Sequence, residues 1–186
     1  MILVVDYDPA WPQRFERLQA ELSEQLLARG VPFVAIEHVG STSVPGLAAK
    51  AVIDCDIVVY AQDVARASRA LTDLGFAPLG ELGIPQRWAF KEPDRLVNTN
   101  VYVVVEGSLA LRNHLCVRDV LRADGTLRNE YAEVKKRVAS TAADIDEYGA
   151  RKNDMVQAIL AAAGMTEGER RSINSNQVPS HDDFPR

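Results

Sequence analysis

The sequence has only two cysteines, Cys55 and Cys116, and both lie inside apolar runs. Two cysteines so far apart make neither a zinc knuckle nor a disulfide framework, and they read as small buried hydrophobes in a reducing compartment. Long apolar runs are missing too. The longest, such as 101–105, fall far short of the roughly 18 residues that cross a bilayer. The opening stretch has no basic residues and is interrupted at once by Asp6 and Asp8, so it does not read as a signal peptide. A cytoplasmic protein with no membrane partner is expected. Positive charge is in deficit as well. A formal net charge of −5 argues against a general binder of extended nucleic acid or of anionic membranes, both of which need a basic surface. A local basic pocket stays open.

The 186 residues, 47% hydrophobic and 25% charged, suit one globular domain that needs no disulfide or structural metal. Asp8-Pro9 reads as a helix start, followed by an apolar face at Trp11, Phe15, Leu18, Leu22 and Leu26 that ends near Gly30. Strands are expected at 33–36, 51–59, 76–79, 86–90 and 97–105, with a helix over 64–74 stopped by Gly75. After Gly107 the periodicity is helical to about Ala163, punctuated at 124–125 and 141–144. Strands mixed with helices, then helices alone, predict an α/β sandwich with a C-terminal helical extension. The fold is assigned to 1–165. The polar stretch 166–186 is read as a disordered or loosely attached tail.

Two segments carry candidate chemistry. Residues 38–47, His-Val-Gly-Ser-Thr-Ser-Val-Pro-Gly-Leu, follow a strand. Glycine lets a ligand approach the backbone, and amides and hydroxyls of Gly40, Ser41, Thr42 and Ser43 converge as they do at phosphate sites. A surface turn would use the same residues. On the following strand Asp54 and Asp56 flank Cys55, so both carboxylates share one face about 6.6 Å apart along the strand axis. Buried unpaired carboxylates are costly. Lys or Arg partners would satisfy them. The alternative is Mg²⁺, which takes carboxylate oxygens together with substrate phosphates. His114, Arg118 and Arg122 are spaced i, i+4, i+8 on one helix face, where like charges slightly disfavour an isolated helix and a phosphate or carboxylate would offset them. Lys50 is a further basic residue near a strand end. Trp11 and Trp88 read as packing residues rather than base-stacking platforms.

Val39-Gly40-Ser41, twelve residues, then Asp54-Cys55-Asp56-Ile57 resembles the minimal signature of the nucleotidyltransferase superfamily. The decapeptide 38–47 with Lys50-Ala51-Val52-Ile53-Asp54-Cys55-Asp56 more closely resembles the GrpB family. So do Tyr7-Asp8-Pro9-Ala10-Trp11 with Phe15, Leu74-Gly75-Phe76, His114-Leu115 with 118–122, and Tyr131, Lys135 and Lys152. The resemblance runs over roughly 2–163. It implies a nucleotidyltransferase-like mixed β-sheet flanked by helices. In that pocket Ser41 and the loop would hold phosphates, Asp54 and Asp56 would bind Mg²⁺, and Lys152 would point inward. Some members of the family are fused to dephospho-CoA kinase, and this chain has no P-loop. Active superfamily members usually present a third carboxylate on a later strand. The corresponding strand here has none, and carries Asn98 and Asn100 on one face instead. Glu37 is a substitute only if its strand aims it correctly. The expected function is transfer of an NMP group from an NTP to a small-molecule or protein acceptor. The alternative is a non-catalytic module binding a nucleotide or CoA-like ligand in the same pocket, which includes His38 and His114.

Overall fold

The computed structural model describes residues 2–175. Helix α1, Trp11–Ala28, buries the five apolar residues of its expected face. It begins two residues later than expected. Asp8 spends its carbonyl on the Trp11 amide (3.0 Å) and its carboxylate on the Ala10 amide (2.8 Å), making a turn before the helix. Pro12 explains the shift: in a helix started at Pro9 it would stand where the first N–H must donate, whereas in the first turn its missing donor is harmless.

Strand β1, Ala35–Val39, lies further along the chain than the 33–36 expected. It pairs antiparallel with β2, Ile53–Val59, from Ala35 opposite Val58 to Val39 opposite Asp54. Helix α2, Val64–Asp73, and strands β3, Ala77–Gly80, and β4, Arg87–Lys91, lead to β5, Thr99–Val105. β5 inserts between β2 and β4, parallel to β2 and antiparallel to β4, so the sheet order is β1-β2-β5-β4-β3. Helices α3, Leu109–Ala123, α4, Gly125–Ala139, and α5, Ile145–Ala162, follow. Ser108, Asp124 and Asp144 cap them, each side chain accepting an amide of the first turn.

Strand alternation gives the sheet two unlike faces. Ile53, Cys55, Ile57, Val101 and Val103 pack under α1 and α2 in the main core. The opposite face carries Glu37, Asp54, Asp56, Asn100 and Tyr102, with Val58 and Val104 packed beneath Ala110 and Leu111 of α3. A further cluster, Val44, Leu47, Leu121, Tyr131 and Ile159, fastens the loop after β1 to the three C-terminal helices.

The stretch read as a loose tail opens with another helix, α6, Glu167–Ser175. Thr166 and Glu169 form a reciprocal cap: the Thr166 amide donates to Glu169 Oε2 (2.8 Å), and the Glu169 amide donates to Thr166 Oγ1 (3.3 Å). Met165 and Ile173 are buried against Leu160. The rest of the expected tail, 176–186, lies outside the described residues. No helix among the described residues is long and apolar enough to cross a membrane.

Candidate functional site

β1 runs directly into Gly40, whose φ of 68° and ψ of −174° turn the chain across the end of β2. Only glycine fits. A Cβ there would stand 2.2 Å from Asp54 Oδ2, and the positive φ would strain any other residue. The Gly40 backbone therefore lies against the first carboxylate of the pair. Ser41–Ser43 form one 3₁₀ turn. The Ser43 hydroxyl donates to the Gly40 carbonyl (2.6 Å), and the Thr42 hydroxyl donates to the Val52 carbonyl (3.0 Å). Both side chains are buried and shape the loop from within. Ser41, half-buried, is the hydroxyl that faces the helices.

Asp54 accepts from Asn100 Nδ2 at 2.7 Å, across the parallel β2–β5 register that sets the two residues side by side. Burial raises the Asp54 pKa, and the Asn100 hydrogen bond and His114 oppose the rise only in part. Asp56 is fully buried. Its Oδ2 lies 2.7 Å from His114 Nδ1 on α3, while its Oδ1 is buried with no hydrogen-bond partner. Such an atom is an exception that calls for an explanation.

The i, i+4, i+8 spacing on α3 does bring His114, Arg118 and Arg122 to this side of the sheet, each with a protein partner. Arg118 donates to Glu37 Oε2 (2.6 Å), to Asp119 Oδ1 (2.7 Å) and to the His38 carbonyl (3.2 Å). Glu37, expected as a substitute third acid, is thus spent on Arg118 even though its register puts it opposite Asp56. Arg122 donates twice to the Ser43 carbonyl, at 2.8 and 3.0 Å. His38 alternates to the other face. It stacks on Phe15 with ring centroids 4.5 Å apart and meets Thr42 Oγ1 at 3.1 Å. Burial, then Arg122 and Arg118, lower its pKa to about 4. Asn98 is not where the strand reading set it. It precedes β5, has a φ of 62°, and is exposed, giving its carbonyl to the Ile53 amide (3.0 Å). Lys50 is half-buried and contributes charge near Asp54.

The residue that sequence reasoning left out of the site is Lys135. It is 2% exposed, and its Nζ donates to Ser41 Oγ at 2.9 Å. The same nitrogen lies 4.6 Å from the Tyr131 ring centre, as Lys152 lies 5.0 Å from that of Tyr148. Burial and neighbouring Lys152 lower its pKa to about 6. Burial lowers the Lys152 pKa too, with Asp54 opposing. The signal was in the sequence: Tyr131/Lys135 and Tyr148/Lys152 share one spacing on successive helices. The Gly40–Ser41 loop is thus flanked by the Asp54 carboxylate at Gly40 and by a buried lysine at Ser41. Among the described residues no three His, Cys, Asp or Glu gather as a metal cluster.

A mixed sheet with a Gly-Ser turn after its first strand and an acid pair on its second defines a nucleotidyltransferase-like α/β fold. The chain belongs to the GrpB protein family, whose sequence profile matches residues 1–162. The UPF0157 protein YqkA of Bacillus subtilis is 30% identical over 177 residues, covering 94% of this chain and 51% of that protein. The chain therefore spans about half the length of that relative. A dephospho-CoA kinase of Mycolicibacterium paratuberculosis is 31% identical over 182 residues, 81% of this chain and 43% of its own. Among solved structures, GrpB from Enterococcus faecalis superposes with a TM-score of 0.73 at 27% identity, covering 88% of this chain and all of that one. GLD-2 in its complex with RNP-8 shares the fold at a TM-score of 0.53 and 16% identity, covering 97% of this chain and 73% of the other.

Proposed function

We propose that the protein is a Mg²⁺-dependent nucleotidyltransferase that moves an NMP group from an NTP to a small-molecule or protein acceptor in the cytoplasm. The observation that carries this reading is the unpartnered, buried Oδ1 of Asp56, which shares a strand face with the Asp54 that abuts Gly40, while buried Lys135 meets the next loop residue, Ser41. The donor set fits the ion. Mg²⁺ is commonly held by one or two carboxylates and completed by substrate phosphates and water, so two aspartates suffice without an all-protein cage. Bound between Asp54 and Asp56, it would supply charge neutralisation for the phosphates and orientation of the reacting oxygens.

The chain's own residues do the rest. Asn100 and His114 each hold one oxygen of an aspartate, leaving the other oxygens toward the site. Gly40 lets phosphate oxygens approach the loop amides. Ser41 and Lys135 meet the far phosphates, joined by Lys152. A phosphate beside Lys135 would raise its pKa, so binding is coupled to proton uptake. Arg118, Arg122, Thr42 and Ser43 hold the loop that binds rather than the ligand itself.

A second reading, a nucleotide- or CoA-like-ligand-binding module without turnover, is favoured by one observation. Asn100 stands where a third acid would, and Glu37 is engaged by Arg118. One experiment separates the two. Binding of each NTP with Mg²⁺ and pyrophosphate release in the presence of a metabolite extract are measured for wild type and for Asp54→Asn/Asp56→Asn. Aspartate-dependent binding with pyrophosphate release supports transfer. Aspartate-dependent binding without release under any acceptor supports the module. No binding, or equal behaviour of the double variant, overturns both.

A further inference from the structure

Behind the acid pair, on the opposite face of the sheet, a cleft of about 280 Å³ opens between α1 and the turn at 94–96 that leads into β5. Ile53 and Thr99 line it. They immediately precede Asp54 and Asn100, and strand alternation turns their side chains away from the acid pair. Three arginines, Arg14, Arg17 and Arg95, and one acid, Glu21, line it too. Arg95 forms an ion pair with Glu21. Arg14 and Arg17 have no side-chain hydrogen bond or acidic partner among the described residues.

This arrangement is unfavourable when empty. Arg14 and Arg17 are like charges three residues apart on one helix face. Arg14 closes the first turn of α1, which holds no acid and where the helix dipole disfavours a cation. The chain as a whole carries −5, so a cationic cluster is a local feature and not a property of the whole surface. Part of the lining is apolar, with Leu18 and Ile53 belonging to the main core. Thr99, itself buried, is a polar residue of the lining beside Ile53.

We propose that this cleft binds a small organic anion, a phosphate or carboxylate carried on a short apolar stem. The anionic head sits between Arg14 and Arg17, the stem lies against Leu18 and Ile53, and Thr99 supplies a hydrogen bond. The volume is at the lower end of ligand sites, about 300–1,000 Å³, which suits a compact ligand rather than a dinucleotide. The inference stands whether or not the acid pair transfers nucleotides.

The test is an NMR titration of the ¹⁵N-labelled full chain at physiological ionic strength with n-butyl phosphate, and in parallel with butyrate and inorganic phosphate. Saturable shifts are expected at residues 14–21 and 95–99. Arg14→Gln/Arg17→Gln should weaken binding about tenfold or more without lowering the unfolding midpoint, and Arg17→Glu alone should weaken it further than Arg17→Gln. Asp54→Asn and Lys135→Met should bind as wild type. The stronger of the butyl phosphate and butyrate responses identifies the head group, and tighter binding of either than of inorganic phosphate supports the apolar stem. Shifts that instead map to residues 38–46 and vanish in Lys135→Met overturn the proposal. So does unchanged affinity in the double arginine variant, or no saturation at millimolar concentration with any of the three probes.

Discussion

Lys135 is a lysine buried to 2% exposure whose hydrogen-bond partner is a hydroxyl. Its pKa near 6 in the folded chain compares with an ordinary 10.5. Between those values the unfolded lysine is protonated and the folded one is not, so unfolding takes up a proton and stability rises with pH across the window. Lys135→Met is therefore expected to flatten that rise and to be more stable than wild type at pH 7, by about 2 kcal/mol or more. Urea unfolding at pH 6, 7.5 and 9 measures it; an unchanged slope would show the lysine to be charged and paired. At this scale the sequence was partly legible. Asp54, Asp56 and Gly40 were marked by type and spacing. Asn98 was misplaced because its positive φ belongs to the turn into β5, which strand alternation does not describe. Lys135 was named for the family resemblance but left out of the site, because lysine is rarely buried and its repeated spacing from a tyrosine was the weaker cue.

At the scale of elements, α3 is a clamp on the loop after β1. Arg118 reaches the end of β1 through the His38 carbonyl, and Arg122 holds the Ser43 carbonyl with two hydrogen bonds. Hydrogen bonds from a charged donor contribute roughly 1.5–3 kcal/mol. Arg122→Ala is expected to destabilise the chain by about 1–2 kcal/mol and to speed amide exchange at residues 40–46 more than in β2. Hydrogen–deuterium exchange resolves this, and uniform acceleration would mean a global effect instead of a released loop. The helix spacing of 114, 118 and 122 predicted a shared face, and they share one. Their partners were beyond the sequence, because Glu37 and the Ser43 carbonyl are some eighty residues away in the chain. The cap at Thr166 and Glu169 was readable as an S/T-x-x-E box but was outweighed by the polar composition after it.

Across the whole molecule, one sheet face is core and the other holds charge, so the site is a local source of instability. Burial keeps the Asp54 pKa above its ordinary value. Its folded form then favours the proton, and ionisation at neutral pH works against folding, with stability falling as pH rises through that window. Asp54→Asn is expected to leave the thermal midpoint of the ligand-free protein equal to or above that of wild type, while abolishing the stabilisation given by Mg²⁺ and NTP together. Differential scanning fluorimetry with and without both ligands distinguishes this from loss of structure, which would lower the midpoint in both conditions. The sequence alone determined the element types as far as α5, the covered central strand and the pairing of a Gly-Ser turn with two carboxylates, because these depend on local backbone preference and on the two-residue period of a strand. Only the tertiary structure decided which groups stay unpaired. Insertion of β5 beside β2 brings Asn100 to Asp54, and packing of α3 and α4 over the sheet brings His114 to Asp56 and Lys135 to Ser41. Those contacts join residues 46 to 94 positions apart, and burial at that distance depends on the packing of every layer between them.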